Sequence, residues 1–472
     1  MKKIFNKHTI VIVACSLLLG SCSKNSLNET PNSSVLTGQA LNTIPELQDA
    51  LNGTYAQLRA VSFFGRDIPI SGDLMGDNTY IESRNSGFYV AQYQYNIVPI
   101  DAVVTDIWSA GYTGILDANN IIDASVTGSD AIKAQAYAIR ALIYFKLVTN
   151  FARPYTTDST GLGVPLILHY NPYNQPTRNS VKEIYAQIVS DLQSALMNAP
   201  AYTNSITLNK YAIEGLLAKV YLYMGDNIDA KAAAVDVINK SGFKLVTSVN
   251  FNAFWANPAA HTDQIEVLFE IDADAISNNG GSDIGAIYIN GSDDIYASSQ
   301  LYNLYTSTDV RQSLLIPGFT KGGAAAYLVN KYPNAANSDK DNLKVIRLAE
   351  VYLIAAEASV NSSQTDALSY LNTLAQNRDA AFTGYTDAGQ ALLNDIVQER
   401  RKELAFEGDR FYDLNRLGLP ITRGANPGAI SAGPGDINLT VPDSDYRRIL
   451  PIPEAEILAN PNIANQQNPG YN

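Results

Sequence analysis

The sequence predicts a mainly α-helical protein made of paired helices, with long loop-rich insertions and little strand. Three observations point that way. Apolar residues recur at helical spacing through VTDIWSAGYTGILDANNIIDAS, SDAIKAQAYAIRALIYFKLVTNF, NSVKEIYAQIVSDLQSALMNA and TLNKYAIEGLLAKVYLYMG. Small residues, Ala218, Gly225, Ala230 and Ala234, sit where neighbouring helices would touch. Between the helical runs, residues 63–99 and 243–326 lose the period and fill with Gly, Asn, Asp, Ser and aromatic residues.

At the N-terminus, Lys2, Lys3 and Lys7 precede an apolar run over residues 9–19 that is short for a membrane span. Leu19-Gly20-Ser21-Cys22 then matches a lipobox, so residues 1–21 read as a lipoprotein signal peptide and Cys22 as the lipidated residue. Cys15 would leave with the signal, and a single mature cysteine forms no disulfide within the chain. Residues 22–43, rich in Asn, Ser, Thr and Gly, read as a flexible tether, and residues 44–472 as one domain.

Helix one should begin near Ile44, with Pro45 in its first turn and Leu47, Leu51, Tyr55 and Leu58 on one face. Helix pairs follow, joined at Gly128 and capped by Ser129 or Asp130, with small residues similar to the tetratricopeptide pattern. Within the larger insertion EVLFEI has strand character. The last helical stretch, NDIVQERRKELAFEGDRFYDLNRLG, breaks at Gly408, where Asp409 is placed to cap the second helix. Glu399, Glu403 and Glu407 share a face there and need cations, which Arg400, Arg401, Lys402, Arg410 and Arg416 could supply.

Residue chemistry narrows the function. With 33 basic against 46 acidic residues the net charge is -13, which argues against phosphate-backbone binding and favours neutral or cationic ligands. His169 and His261 lack ligand spacing, and Asp272, Asp274, Asp283, Asp293 and Asp294 miss the EF-hand pattern, so neither a metal nor any other cofactor is expected. No P-loop or nucleophile elbow is present. Glu403 and Glu407 could be an acid/base pair, but neighbouring cations would keep both ionised, so a structural ion network is the better reading. The chain holds Tyr 28 against Trp 2. Tyrosines on the helices, and Trp108 with Tyr112 and Ile115, read as core; those of the insertions could stack on sugar rings while their hydroxyls hydrogen-bond. Candidates are Tyr80, Phe88 and Tyr93 in the first insertion and Trp255, Tyr288 and Tyr296 in the second.

The motif ERRKELAFEGDRFYDLNR, together with Cys22, W-x-x-x-Y-x-x-I at residues 108–115, AQAYAIRALIYFKLVTNFARPY, RLAEVYLIAAEA, LPIPEAEILANPN and the terminal QNPGY, resembles the SusD/RagB family of outer-membrane nutrient-binding lipoproteins. The resemblance implies a SusD-like fold of tetratricopeptide-like pairs and a non-catalytic protein that binds oligosaccharide or polysaccharide. It implies a partner, a SusC-like TonB-dependent transporter, and a lipid-anchored place on the outer membrane, at the cell surface. The family pattern also implies polar ligand contacts from Asp77, Asn78 and Arg84. A peptide-binding or scaffold lipoprotein of the same transporter type is the alternative, and a glycoside hydrolase the third reading.

Overall fold

Helix α1 (Ile44–Leu58) opens the computed structural model, which describes residues 41–289, 293–433 and 439–471. The start is fixed by a capping box: Glu46 N donates to Thr43 Oγ1 and Thr43 N to Glu46 Oε2. Leu47, Leu51 and Leu58 face the core, as their spacing predicts, whereas Tyr55 is half-buried. Leu41, the first described residue, packs on the core. Cys22, the signal peptide and the rest of the tether lie outside the described residues.

The scaffold helices are α2 (Asp67–Leu74), α3 (Val90–Gln94), α4 (Ala102–Asp123), α5 (Asp130–Phe151), α6 (Val181–Met197), α7 (Lys210–Met224) and α8 (Asn227–Lys240), then α9 (Leu348–Ser359), α10 (Gln364–Arg378), α11 (Gly389–Glu403) and α12 (Arg410–Arg416). The repeat proper runs α4 on α5, α5 on α6, α6 on α7, α7 on α8, α8 on α9 and α9 on α10 and α11. Close approach of α4 and α5 needs glycine: a Cβ on Gly111 would meet Leu147 at 2.8 Å and one on Gly114 would meet Ile143 at 2.6 Å. Ala218, Ala230 and Ala234 are fully buried. Trp108 is core, edge-on to Phe151 at 5.0 Å. Ser129 does not cap α5; its hydroxyl donates to Val126 O.

Strands come from the insertions. Val267–Ile271 (β2), the EVLFEI segment, pairs with Leu343–Arg347 (β6). A four-stranded sheet orders Thr79–Ile81 (β1), Ile295–Ala297 (β3), Ala325–Val329 (β5) and Leu315–Phe319 (β4) as β1-β3-β5-β4. A single hydrophobic cluster takes in residues from Leu47 to Ile463.

Glu399, Glu403 and Glu407 are buried in ion pairs, as their spacing suggests, but most of their cations are distant in sequence. Glu403 meets Arg311 (3.0 Å), Arg347 (3.0 Å) and Arg378 (3.0 Å); Glu407 meets Arg347 (2.7 Å) and Lys331 (2.6 Å); Glu399 meets Arg311 (2.6 Å) and the local Lys402 (3.2 Å). The other local cations turn elsewhere. Arg400 and Arg416 pair with Asp413, and Arg401 and Arg410 with Asp77. Asp409 caps nothing, because its carboxylate is taken by Lys219 at 2.7 Å. The turn is held instead by Asp73, whose carboxylate accepts from Phe406 N (3.0 Å) and Gly408 N (2.7 Å). Gly408 is required there: its φ is +83° and a Cβ would lie 2.5 Å from Pro69 Cα.

Burial pushes Glu403 up, but Arg378, Arg347 and Arg311 outweigh it and hold the carboxyl well below the usual range. Burial likewise opposes, and Arg347 and Lys331 overcome, the protonation of Glu407. Folded carboxyls with depressed pKa contribute stability above their unfolded range, and that contribution is lost as pH falls through it. The contribution of these two carboxyls, read as the difference in urea midpoint between the wild type and Glu403→Gln, should therefore hold steady above about pH 5 and fall between about pH 5 and 3, where the unfolded chain takes up protons first. Replacing Glu403→Gln takes one carboxylate from three buried guanidiniums and should cost about 3–5 kcal/mol at neutral pH, read as a lower midpoint at constant m-value.

Candidate functional site

The fold joins the two insertions strand to strand. Strand β1 runs antiparallel to β3, with Tyr80 opposite Tyr296 and their ring centroids 5.8 Å apart. Beyond β1 the chain keeps pairing: Glu82 N donates to Asp294 O, Ser83 N to Gly428 O, and Ile430 N to Ile81 O. The β4–β5 hairpin turns at residues 320–324, with Gly323 at φ +84°. Four segments thereby converge on one rim: residues 82–88, 293–294, 319–324 and 426–430.

Asp294 organises this rim. Its fully buried carboxylate accepts from Ser86 N (3.1 Å), Ser86 Oγ (3.3 Å) and Lys321 Nζ (2.7 Å). Lys321 N donates to the Tyr296 hydroxyl at 3.2 Å, and Gly322 N to Glu82 Oε2 at 3.2 Å. Among the described residues nothing hydrogen-bonds to the buried Glu82 Oε1 or to the Tyr80 hydroxyl. Burial and the neighbouring Tyr296, Tyr93 and Glu82 push Tyr80 up, so it stays a neutral phenol. Two aromatic rings stand out to solvent, Phe88 at 46% and Phe319 at 71% exposure. Arg66 lies over the Phe88 ring at 5.5 Å, and Arg84 is exposed in the same segment as Phe88. The rim thus offers hydrophobic ring faces next to cationic and hydroxyl donors.

The expectation that the insertion aromatics form an exposed surface is corrected for most of them. Tyr80, Tyr93, Trp255, Tyr288 and Tyr296 are all buried. Each ring fills a structural slot. Tyr93 lies under Arg423 at 4.5 Å, Trp255 under Lys331 at 4.3 Å, and Tyr288 stacks on Tyr332 at 6.3 Å. Such residues close the core under the sheet because an insertion this long must bury apolar area of its own. Asp77 and Asn78 are buried too: Asp77 takes a two-pronged contact from Arg410 (2.7 and 3.0 Å), and Asn78 bridges Asp73 and Arg401. Of the sequence candidates, only Arg84 and Phe88 reach solvent. Glu82, Ser86, Phe319 and Lys321 were not among them, and nothing in their spacing marks them; Asp294 was weighed only as a calcium ligand. The Thr-Lys-Gly-Gly turn signal at residues 320–323 is the one local cue to this hairpin. The other aspartates of that set act locally, with Asp274 accepting from Ile276 N and Ser277 N and Asp283 from Gly285 N.

Comparison with known proteins gives the frame. The SusD family model matches residues 296–471, and a model described as "Starch-binding associating with outer membrane" matches residues 27–222. A crystal structure of a SusD superfamily protein from Bacteroides thetaiotaomicron superposes with a TM-score of 0.82 at 30% identity, covering 90% of this chain and 100% of that one. The chain belongs to the SusD family. The SusD-like protein P2 of Formosa agariphila is 29% identical over 98% of this chain and 100% of its own length. A laminarin-binding SusD-like protein shares the fold, with a TM-score of 0.72 at 24% identity over 91% of this chain and 100% of that one. Of the described residues of this SusD-family chain, no helix is long and apolar enough to cross a membrane.

Burial separates support from contact. Tyr80→Ala or Tyr296→Ala should cost about 3–5 kcal/mol in a denaturant titration, as for other buried aromatics. Phe88→Ala and Phe319→Ala should leave the melting temperature within about 2 °C, since exposed positions rarely move stability by more than about 0.5 kcal/mol.

Proposed function

We propose that this SusD-family chain is a non-catalytic glycan-binding lipoprotein of the outer membrane that hands oligosaccharide or polysaccharide to a SusC-like TonB-dependent transporter. The observation that carries the reading is the rim, whose converging segments carry the exposed Phe88 and Phe319 together with Arg84, Lys321 and Ser86. A pyranose presents an apolar C–H face and equatorial hydroxyls, and the rim offers a partner for each. The laminarin bound by one structural neighbour and the starch named in the matched family description supply the first glycans to try.

The carboxylates weighed as an acid/base pair, and the one at the rim, support binding over turnover. Hydrolysis of a glycosidic bond takes a carboxylic acid with raised pKa beside a second carboxylate. Glu403 and Glu407 are held ionised by arginines and lie buried, and Asp294 is paired with Lys321. Cys22 and its lipobox support a lipid anchor, and several acyl chains on one cysteine make a durable one, at about 0.8 kcal/mol per buried methylene.

The test is a native retardation gel of the purified chain in laminarin, starch and a panel of plant, host and microbial polysaccharides. Slowed migration in at least one, with polysaccharide chain length unchanged after incubation and retention weakened by Phe88→Ala, is the expected result. Shortening of the polysaccharide would move the assignment to a hydrolase, and capture of peptides in place of any glycan would move it to the peptide-binding alternative.

A further inference from the structure

A second cleft lies away from the rim, between α4, the loop at residues 165–176 and the short helix α13 (Glu454–Ala459). Its volume is 340 Å³, within the size range of small-ligand pockets. Trp108 and Tyr112 form its floor, their ring centroids 4.9 Å apart. Thr113, Asn171, Asn174 and Glu456 line its walls.

The cleft is held in shape by hydrogen bonds across the chain. Tyr112 donates its hydroxyl to Pro165 O at 2.8 Å. Gln175 Nε2 donates to Ala459 O at 2.7 Å, Asn462 Nδ2 to Gln175 O at 2.6 Å, and Asn460 Nδ2 to Pro176 O at 2.9 Å. The loop itself is an Asn-Pro-Tyr-Asn turn in which Asn171 Oδ1 accepts from Tyr173 N at 3.0 Å and Asn171 O from Asn174 N at 3.3 Å. That turn holds Tyr173, 91% exposed, between the lining residues Pro172 and Asn174. Glu456 forms no ion pair with the described residues, so its carboxylate is free to accept hydrogen bonds.

We propose that this cleft is a second carbohydrate site, taking the end or a short segment of an uncharged glycan, with Tyr173 as its stacking platform. Ring faces, two amides, a threonine hydroxyl and one unpaired carboxylate match the C–H faces and hydroxyls of a sugar. The same carboxylate, with no cation beside it, repels uronates and sulfated sugars. Because the pinned loop is already ordered, little freedom is lost on binding. Two sites on one chain would retain a polysaccharide by avidity where each alone holds it weakly. The proposal goes beyond the rim and shares with the proposed function only the class of ligand.

The experiment is calorimetric titration of the purified chain with short laminari- and malto-oligosaccharides, beside retardation gels in laminarin and starch, for the wild type, Tyr173→Ala, Glu456→Ala and Phe88→Ala. The expected result is more than one binding event per chain. Tyr173→Ala and Glu456→Ala should each weaken one event roughly five- to tenfold with the melting temperature unchanged, and Phe88→Ala should weaken the other. A single event that Phe88→Ala weakens and that both cleft variants leave intact overturns the second site while the rim reading stands. A single event lost only in the cleft variants supports this site and overturns the rim. Binding of neither sugar in any form of the assay overturns both.

Discussion

The guanidinium of Arg347 is buried between Glu266, Glu403 and Glu407, and Arg378 spans Glu266 and Glu403 from the other side. Around them Asp309, Glu399, Arg311, Lys331 and Lys402 complete a cluster of five carboxylates and five cations. Charges taken out of water cost several kcal/mol each, and mutual pairing recovers that cost only when the geometry is complete. The balance therefore acts as a constraint on assembly. The network closes only if β2, β6, α10, α11 and the turn at residues 309–311 all arrive in register.

A second cluster continues it along the same motif. Arg400 and Arg416 pair with Asp413, Arg416 with Glu357, and Lys219 with Glu350 and Asp409. Lys146 lies against the Phe64 and Tyr412 rings, and burial together with the nearby Lys219 pushes it down to about 8. From this base Arg401 and Arg410 reach to Asp77, immediately before β1. The sheet rim is thus wired to the most charged and most buried part of the scaffold, which fixes the loops that carry Phe88, Lys321 and Phe319. Binding loops set on a rigid base need less ordering when a ligand arrives.

Both exposed aromatic surfaces are small compared with the tyrosine content of the chain. Several tyrosines pack their rings against the core and direct their hydroxyls to backbone carbonyls, as Tyr112 does to Pro165, Tyr144 to Ile167 and Tyr332 to Phe406. Tyrosine serves here as a large core residue with a polar tip, suited to layers in which helices meet irregular insertions. Composition therefore overstated the sugar-stacking surface.

What the sequence by itself determined was the part governed by local spacing. Helical periodicity placed the repeat, Pro45 in its first turn marked the start of α1, Gly408 broke α11 from α12, and EVLFEI gave β2. The face shared by Glu399, Glu403 and Glu407 announced an ion network, since three carboxylates on one helix face require cations. Which cations these are only the tertiary structure decided. Arg311, Arg347 and Arg378 lie tens of residues away, and nothing local in their own segments marks them as partners of Glu403. The sites follow the same rule. Aromatic residues in an insertion look alike in sequence whether they line a core or a surface, and the difference between buried Tyr80 and exposed Phe88 arises from which strand pairs with which, an outcome of long-range contacts that local chemistry does not encode.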